Sequence, residues 1–434
     1  MDLFKIQGLI YTGFNLYFII FIYYKMSCAS SNLANQDINY YQNLNGYAVP
    51  SSVPYNRNIN PNGCRRYKAG YPPFAPTIGS LSVTISGAGT YSLVYIYGTN
   101  FLPPCYGTTY VNFGPFKQLP ITFYSTSSIS FVVPLNAQVG VYKVVVVNIY
   151  NSNFSPAVNQ SYSGNPNFSN PVSYQLIGYT INNGTYTITS NAQYNTIITF
   201  TANSSITFYQ NYAVNYIVVG GGGGGGGESR FLNSDYGAGG GGGGQVLDNT
   251  NIFSNKTYSI IVGSGGNGGI GSLCATCTDI PGRNGNPGYS SQIFLGTNNI
   301  VTANGGQGGL GGNATFCNGG ASGNGFAGGN GGTGGNAPSG GGGGGGGNAG
   351  YNGGNGSLNI SIPTYGTAFG AGGGGGSWNL TGGSGGNSNA GNGGNANSGL
   401  PTSAKPNTGC GGGGGGSVAG GNGGSGIIIL YFNV

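Results

Sequence analysis

Proton abstraction, hydrolysis and group transfer draw on histidine or on paired carboxylates. This chain of 434 residues has no histidine, and its six acidic residues are Asp2, Asp37, Glu228, Asp235, Asp248 and Asp279. They are scattered, with no D-x-D run that would build a cation cage. Without an imidazole, Ser-His-Asp and Cys-His nucleophiles are excluded. Seven cysteines remain, at 28, 64, 105, 274, 277, 317 and 410, too sparse for a disulfide scaffold and odd in number. Cys274-Ala-Thr-Cys277 has metal-ligand spacing, and Cys317 with Cys410 would complete a four-thiolate site. A lone C-x-x-C favours instead a loop-stapling disulfide or free thiols at Cys274 and Cys277, with no metal. G-x-G-x-x-G strings recur by composition alone, with no helix-forming sequence behind them and no P-loop lysine motif. The expectation is a protein that is not an enzyme and uses no cofactor.

The net charge of +6 comes from isolated basic residues, the densest group being Arg65, Arg66 and Lys68. Nucleic-acid binding needs a basic stripe, because each neutralised phosphate adds affinity, so no nucleic-acid partner is expected. Residues 8–24 are largely apolar or aromatic, with Asn15 the main interruption, and are flanked by Lys5 and Lys25. That stretch of residues 1–25 suits a single-pass membrane anchor, the apolar region of a signal peptide cleaved near Ser27 and Ala29, or a segment upstream of a true start at Met26. The choice decides the compartment. Ten N-x-S/T sequons carry glycans only if the chain enters a secretory pathway.

The elements that would position any site are β-strands. Residues 26–73, rich in Asn, Tyr, Ser and Pro, read as an extended arm or linker. From Phe74, β-type runs at 77–85, 92–97, 110–113, 121–124, 128–133, 141–148 and 172–176 alternate with Gly, Pro and Asn. Seven short strands in about a hundred residues predict an immunoglobulin-like sandwich over 74–176. Ala75-Pro-Thr-Ile-Gly-Ser-Leu-Ser82, Val94-Tyr-Ile-Tyr-Gly-Thr-Asn-Phe101, Val111-Asn-Phe-Gly114, Ile129-Ser-Phe-Val-Val-Pro134 and Gly140-Val-Tyr-Lys-Val-Val-Val146 resemble the IPT/TIG family of immunoglobulin-like domains. The turn Gly98-Thr-Asn-Phe101 is the most specific piece. The resemblance implies a spacer, since the fold alone fixes no function.

A strand lead-in is predicted at 177–219, with runs at 185–189, 196–201, 205–209 and 214–219. Of the 95 glycines, 80 fall between Gly220 and Gly426, in a domain expected to occupy 220–434. Two patterns alternate there. Strict G-G-x repeats occur at 305–313 and 328–336, and pure glycine runs at 220–227, 239–244, 340–347, 372–376 and 411–416. In a three-residue helix, G-G-x leaves two faces bare backbone, whereas a segment surrounded on all sides must be glycine throughout. Pure runs are therefore expected inside a helix bundle and G-G-x segments outside it. Strands at 257–262 and 427–432 bracket the region, and the last would be an aggregation hazard if unpaired. The predicted fold is all-β: an immunoglobulin-like β-sandwich plus a β-bracketed polyglycine-II helix bundle.

Asn215-Tyr-Ile-Val-Val-Gly-Gly-Gly, Tyr258-Ser-Ile-Ile-Val-Gly-Ser-Gly-Gly266, Gly288-Tyr-Ser-Ser291 and Gly424-Ser-Gly-Ile-Ile-Ile-Leu-Tyr431 resemble the glycine-rich domains of phage tail-fibre adhesins and of viral and bacterial surface proteins. The resemblance implies a packed polyglycine-II slab whose loops recognise a receptor, in a surface-displayed, virion-associated or extracellular protein. Phe231, Tyr236, Tyr351, Tyr365, Phe369 and Trp378 are the candidate contacts, because aromatics supply large contact area at low entropic cost. The same residues would otherwise plug the slab edges or pack on the β layer. The expected partner is a cell-surface glycan or protein receptor, with homo-oligomeric display adding avidity. The alternative is a purely structural fibre, capsid-associated or matrix component that packs on neighbouring virion or surface proteins.

Overall fold

Alternation of buried and exposed residues sets the first strands: in Leu93–Thr99, Val94 and Ile96 are buried while Leu93 and Tyr97 face outward. A computed structural model describes residues 74–104, 106–150, 166–231, 234–271, 282–312, 360–362, 367–377, 381–395, 399–416 and 418–434. The chain divides into two units, Met1–Lys68 and Ala69–Val434, and every described residue lies in the second. The apolar stretch at 8–24 is therefore outside the described residues, among which no helix is long and apolar enough to cross a membrane.

Ten strands build the first sandwich: β1 (Thr77–Leu81), β2 (Ile85–Gly87), β3 (Leu93–Thr99), β4 (Gly107–Phe113), β5 (Phe116–Leu119), β6 (Ile121–Ser125), β7 (Ser128–Val132), β8 (Gly140–Tyr150), β9 (Asn167–Phe168) and β10 (Val172–Ile177). One sheet has the order β1-β3-β7-β6, the other β2-β10-β8-β4-β5 with β9 beside β8. That is the immunoglobulin arrangement, two antiparallel sheets with one parallel pair where β2 joins β10. Between them lie Val94, Ile96, Phe101, Val111, Phe113, Ile129, Phe131, Val144, Val146 and Tyr174. Each such fully buried side chain contributes about 1.5–3 kcal/mol.

The Gly98-Thr-Asn-Phe101 turn has a physical reason at each position. A Cβ on Gly98 would lie closer than 3.0 Å to the Thr77 carbonyl oxygen of the paired strand. Asn100 is left-handed at φ 62°, a conformation asparagine tolerates, and Phe101 enters the core. Buried Asn148 pins this loop: its amide donates to the Asn100 carbonyl at 2.7 Å, and its oxygen accepts from Thr109 Oγ1 at 2.8 Å.

The rest of the chain contributes β11 (Tyr179–Asn182), β12 (Tyr186–Thr189), β13 (Thr196–Phe200), β14 (Ser204–Phe208), β15 (Tyr212–Val219), β16 (Ser229–Phe231), β17 (Ser234–Tyr236), β18 (Val246–Phe253), β19 (Thr257–Ile261), β20 (Ser291–Leu295), β21 (Asn298–Ala303), β22 (Ile360–Ile362), β23 (Thr367–Phe369) and β24 (Ile427–Phe432). Two five-stranded antiparallel sheets, β11-β14-β19-β20-β21 and β12-β13-β24-β15-β18, close over a second core. That core centres on Phe200, Phe208, Phe253, Ile260, Ile293, Leu430 and Phe432. The expected division at residue 220 does not separate two folding units. β24 inserts between β13 and β15, so the strands before the glycine region and the last strand after it make one sheet.

Candidate functional site

The glycine segments continue the strands of the second sandwich beyond one end. Residues 220–227 run out of β15 and 237–245 run back into β18. Residues 263–271 leave β19 and 282–290 return to β20. Residues 304–312 leave β21, 370–377 follow β23, and 418–426 lead into β24. None of them is hydrogen-bonded as helix or sheet. The peptide groups are instead satisfied across segments with a period of three.

The 220–227 segment shows the rule. Gly220, Gly223 and Gly226 donate to the carbonyls of Gln245, Gly242 and Gly239. Gly221, Gly224 and Gly227 donate to Tyr289, Asn286 and Arg283, while Gly222 and Gly225 donate to Gly424 and Gly421. Its carbonyls accept from three further segments: Gly266 and Gly269; Gly306, Gly309 and Gly312; Gly412 and Gly415. Six neighbours surround it, and they bond to one another in turn around the ring. The 409–416 segment is a second such centre, bonded to 220–227, 237–245, 370–377, 390–395, 399–405 and 418–426. Both centres are glycine throughout or nearly so, as a segment bonded to neighbours on every side requires.

Steric demand, not backbone conformation, requires the glycines of the 220–227 run. Among the described residues, the left-handed glycines of this half are Gly296, Gly370 and Gly409, none of them inside the 220–227 run. A Cβ on Gly222, Gly223 or Gly224 would fall closer than 3.0 Å to the carbonyls of Cys410, Gln307 or Asn267 respectively, one neighbour for each third of a turn. Outer segments keep glycine on their inward faces and place side chains outward. Ser264, Asn267 and Ile270 are exposed along one segment, Gln307 and Leu310 along another.

Outward side chains also complete the bonding at the margin. Asn422 Oδ1 accepts from Gly268 N–H at 2.8 Å, Asn284 Oδ1 from Gly311 at 2.8 Å, Asn392 Oδ1 from Gly385 at 2.8 Å and Asn395 Oδ1 from Gly382 at 2.6 Å. Each amide stands where a further segment would have offered a carbonyl.

At the sandwich end, buried Ser291 joins three elements. Its hydroxyl donates to the Val219 carbonyl at 2.6 Å and accepts from Gly263 N–H at 2.9 Å. Cys410 lies fully buried beside Ala371, Ala390 and Ala404, a free thiol whose burial pushes its pKa up. Tyr431, on the outer face of its sheet, donates to Asp248 Oδ1 at 3.0 Å; burial and then that carboxylate push its pKa up.

At the opposite, distal end the described chain leaves or re-enters the array at Gly271, Gly282, Gly312, Ser377, Thr381, Asn395, Gly399, Gly416 and Val418, while the re-entry at Gly370 lies at the sandwich end, bonded to Thr408. The β16–β17 hairpin, with Arg230 opposite Asp235 in register, belongs to this end and follows buried Glu228. Among the described array residues, Glu228 and Arg283 lie towards this end and Lys405 towards the sandwich.

Of the sequence-predicted contacts, Phe231 and Tyr236 sit in this hairpin, Tyr236 opposite Ser229 and partly exposed. Phe369 is corrected: it is 1% exposed and packs with Ile217, Val219, Val246 and Ile429, covering the sheet face rather than meeting a partner. Tyr351, Tyr365 and Trp378, and the cysteine pair Cys274 and Cys277, lie outside the described residues. The marginal asparagines and Ser291 were not singled out from sequence, although Asn395 and Asn422 stand at the third position of G-G-x.

A family model described as a glycine-rich domain matches residues 198–433, more than half of the chain. No curated protein matches it.

Proposed function

The chain belongs to the glycine-rich domain family, and from that premise we propose that its array is a polyglycine-II scaffold presenting the distal connections for attachment. In this reading the protein is non-catalytic and displayed on a virion or cell surface, and the distal end meets a glycan or protein receptor. The IPT/TIG-type sandwich at 74–176 acts as the spacer. The observation that carries the reading is that most of the described exits and re-entries of the array, with the β16–β17 hairpin, lie at the end remote from the strands, whereas Gly370 and the turns at 387–390 and 405–408 lie beside the sandwich. Loops on a rigid scaffold are the usual place for recognition. The alternative, a structural component whose array packs laterally on its neighbours, is disfavoured by the Asn side chains that occupy the marginal N–H groups.

The test is adhesion of the full chain to candidate host cells, compared with a variant carrying Phe231→Ala and Tyr236→Ala. The expected result is weaker adhesion at an unchanged melting temperature. Equal adhesion by both proteins, or none by either, would remove the reading. Surface labelling of intact particles or cells checks the display: a chain protected until lysis contradicts it.

A further inference from the structure

The outer face of the β1-β3-β7-β6 sheet is aromatic and carries no charge. Along β3 the outward residues are Leu93, Tyr95 and Tyr97, and the register sets Leu93 opposite Val132 and Tyr95 opposite Ser130 on β7. Tyr124 of β6 reaches over Ser130 to Tyr95, their rings 5.8 Å apart and tilted by 33°. Ser130 is 1% exposed beneath them and donates to the Tyr124 oxygen at 3.4 Å. The surrounding side chains stay in solvent: Leu93 and Tyr97 are each 47% exposed, Tyr124 53% and Val132 43%.

Three features decide what this face suits. Every exposed aromatic ring on it is tyrosine, so each apolar disc ends in a hydroxyl, and Thr122 and Ser128 add hydroxyls in the same rows. None of the four strands contains Asp, Glu, Lys or Arg, whereas Lys117 and Lys143 belong to the opposite sheet. Half-exposed side chains of this size present together on the order of 400 Å². A standard protein interface takes ~800 Å² per partner. Four strands span about 14 Å, the width of a few sugar rings.

We propose that this tyrosine face is a binding site for a neutral glycan, whose C–H faces stack on Tyr95, Tyr97 and Tyr124 and whose hydroxyls meet their oxygens. The site lies on the immunoglobulin-like domain, separate from the distal end of the glycine array. Its occupancy does not depend on attachment through that end.

The experiment is calorimetric titration of the full chain with hexasaccharides of α-linked glucose, β-linked glucose, mannose and N-acetylglucosamine, with sialyllactose as the charged comparison. At least one neutral sugar is expected to bind with a Kd of about 0.1–1 mM, perturbing tyrosine absorbance. Tyr97→Ala and Tyr124→Ala should each weaken it roughly tenfold. Tyr124→Phe should weaken it less, and Tyr236→Ala should leave it unchanged. Near-ultraviolet circular dichroism verifies the fold, and Tyr97→Ala at an exposed position keeps the test valid if Tyr124→Ala unfolds. The proposal is overturned if no neutral sugar binds, if sialyllactose alone binds, or if both alanine variants bind as well as the parent. It is equally overturned if sedimentation shows a dimer that those substitutions dissociate, since the face would then be a protein interface.

Discussion

Gly224→Ala tests the central claim that the array excludes side chains for steric reasons. At a position that tolerates the new residue, Gly→Ala stabilises by about 0.4–1 kcal/mol, because the unfolded chain loses freedom. At Gly224 the added Cβ would sit closer than 3.0 Å to the Asn267 carbonyl, a backbone group that has no rotamer to change. Relief requires a shift on the order of 1 Å to regain ordinary van der Waals separation. The Gly224 N–H bond to Asn286 is 2.9 Å long and the bond from Gly309 to the Gly224 carbonyl 2.8 Å, so such a shift breaks one or both. Overpacking costs about 1–3 kcal/mol, and each buried peptide group left unpaired about 1–3 kcal/mol. The sum is about 4 kcal/mol of destabilisation, or roughly 10 °C in Tm for a domain of this size. Asn267→Ala is the control: it alters an exposed side chain that already has a Cβ, and about 0.5 kcal/mol or less is expected. Thermal unfolding at neutral pH, followed by hydrogen exchange of peptides covering 220–227, reads both. Equal melting temperatures for the two variants would refute the steric argument.

Three other outcomes are expected. The shifted groups of the described residues, Tyr95, Tyr174, Tyr179, Tyr212, Tyr216, Tyr431 and Cys410, all have raised pKa values. The folded state then holds protons that the unfolded state releases, so their contribution is complete below about pH 9 and falls as pH rises further; denaturant midpoints from pH 7 to 11 should show the decline, less steeply in Tyr431→Phe. Ser291→Ala removes the hydroxyl that bonds Val219 and Gly263, and should cost about 2–4 kcal/mol in chemical unfolding, because two buried backbone groups lose their partner. Cys410 should resist iodoacetamide in the native chain and react after unfolding, read by peptide mass spectrometry; native labelling would contradict its burial.

Local pattern revealed much of this fold, and long-range pairing the remainder. Local runs identified seven of the first sandwich's ten strands but not the short β2 and β9, nor β5, where Gln118 takes a left-handed φ of 57° that no residue preference announces. β18 was missed because Asp248, Asn249, Thr250 and Asn251 read as a polar loop, although the strand pairs with β15 along its whole length. The insertion of β24 between β13 and β15 joins residues more than 200 positions apart, beyond the reach of periodicity. In the glycine half the pure runs at 220–227 and 411–416 are the two centres, where sterics allow no substitute for glycine, whereas the pure runs at 239–244 and 372–376 are neighbours of those centres, and those at 340–347 and the repeat at 328–336 lie outside the described residues. Phe369 faces the sheet, which sequence does not show, because the three-residue strand that carries it is too short for alternation to indicate a face. The tyrosine face escaped notice because Leu93-Val-Tyr-Ile-Tyr97 is apolar or aromatic on both sides, so the sequence does not separate core from surface.

The threefold bonding has a consequence for how such a domain tolerates changes in length. One residue inserted into the 220–227 segment would turn everything after it by a third of a revolution, handing each N–H to the wrong neighbour and shifting strand register downstream. Three residues would restore the rotation and lengthen the segment by one repeat. Alterations of the distal connections should leave the lattice unchanged, since the described bonds of the 220–227 centre join segment to segment. Variation in this half should therefore concentrate at its far end, and length changes within the interior should come in multiples of three.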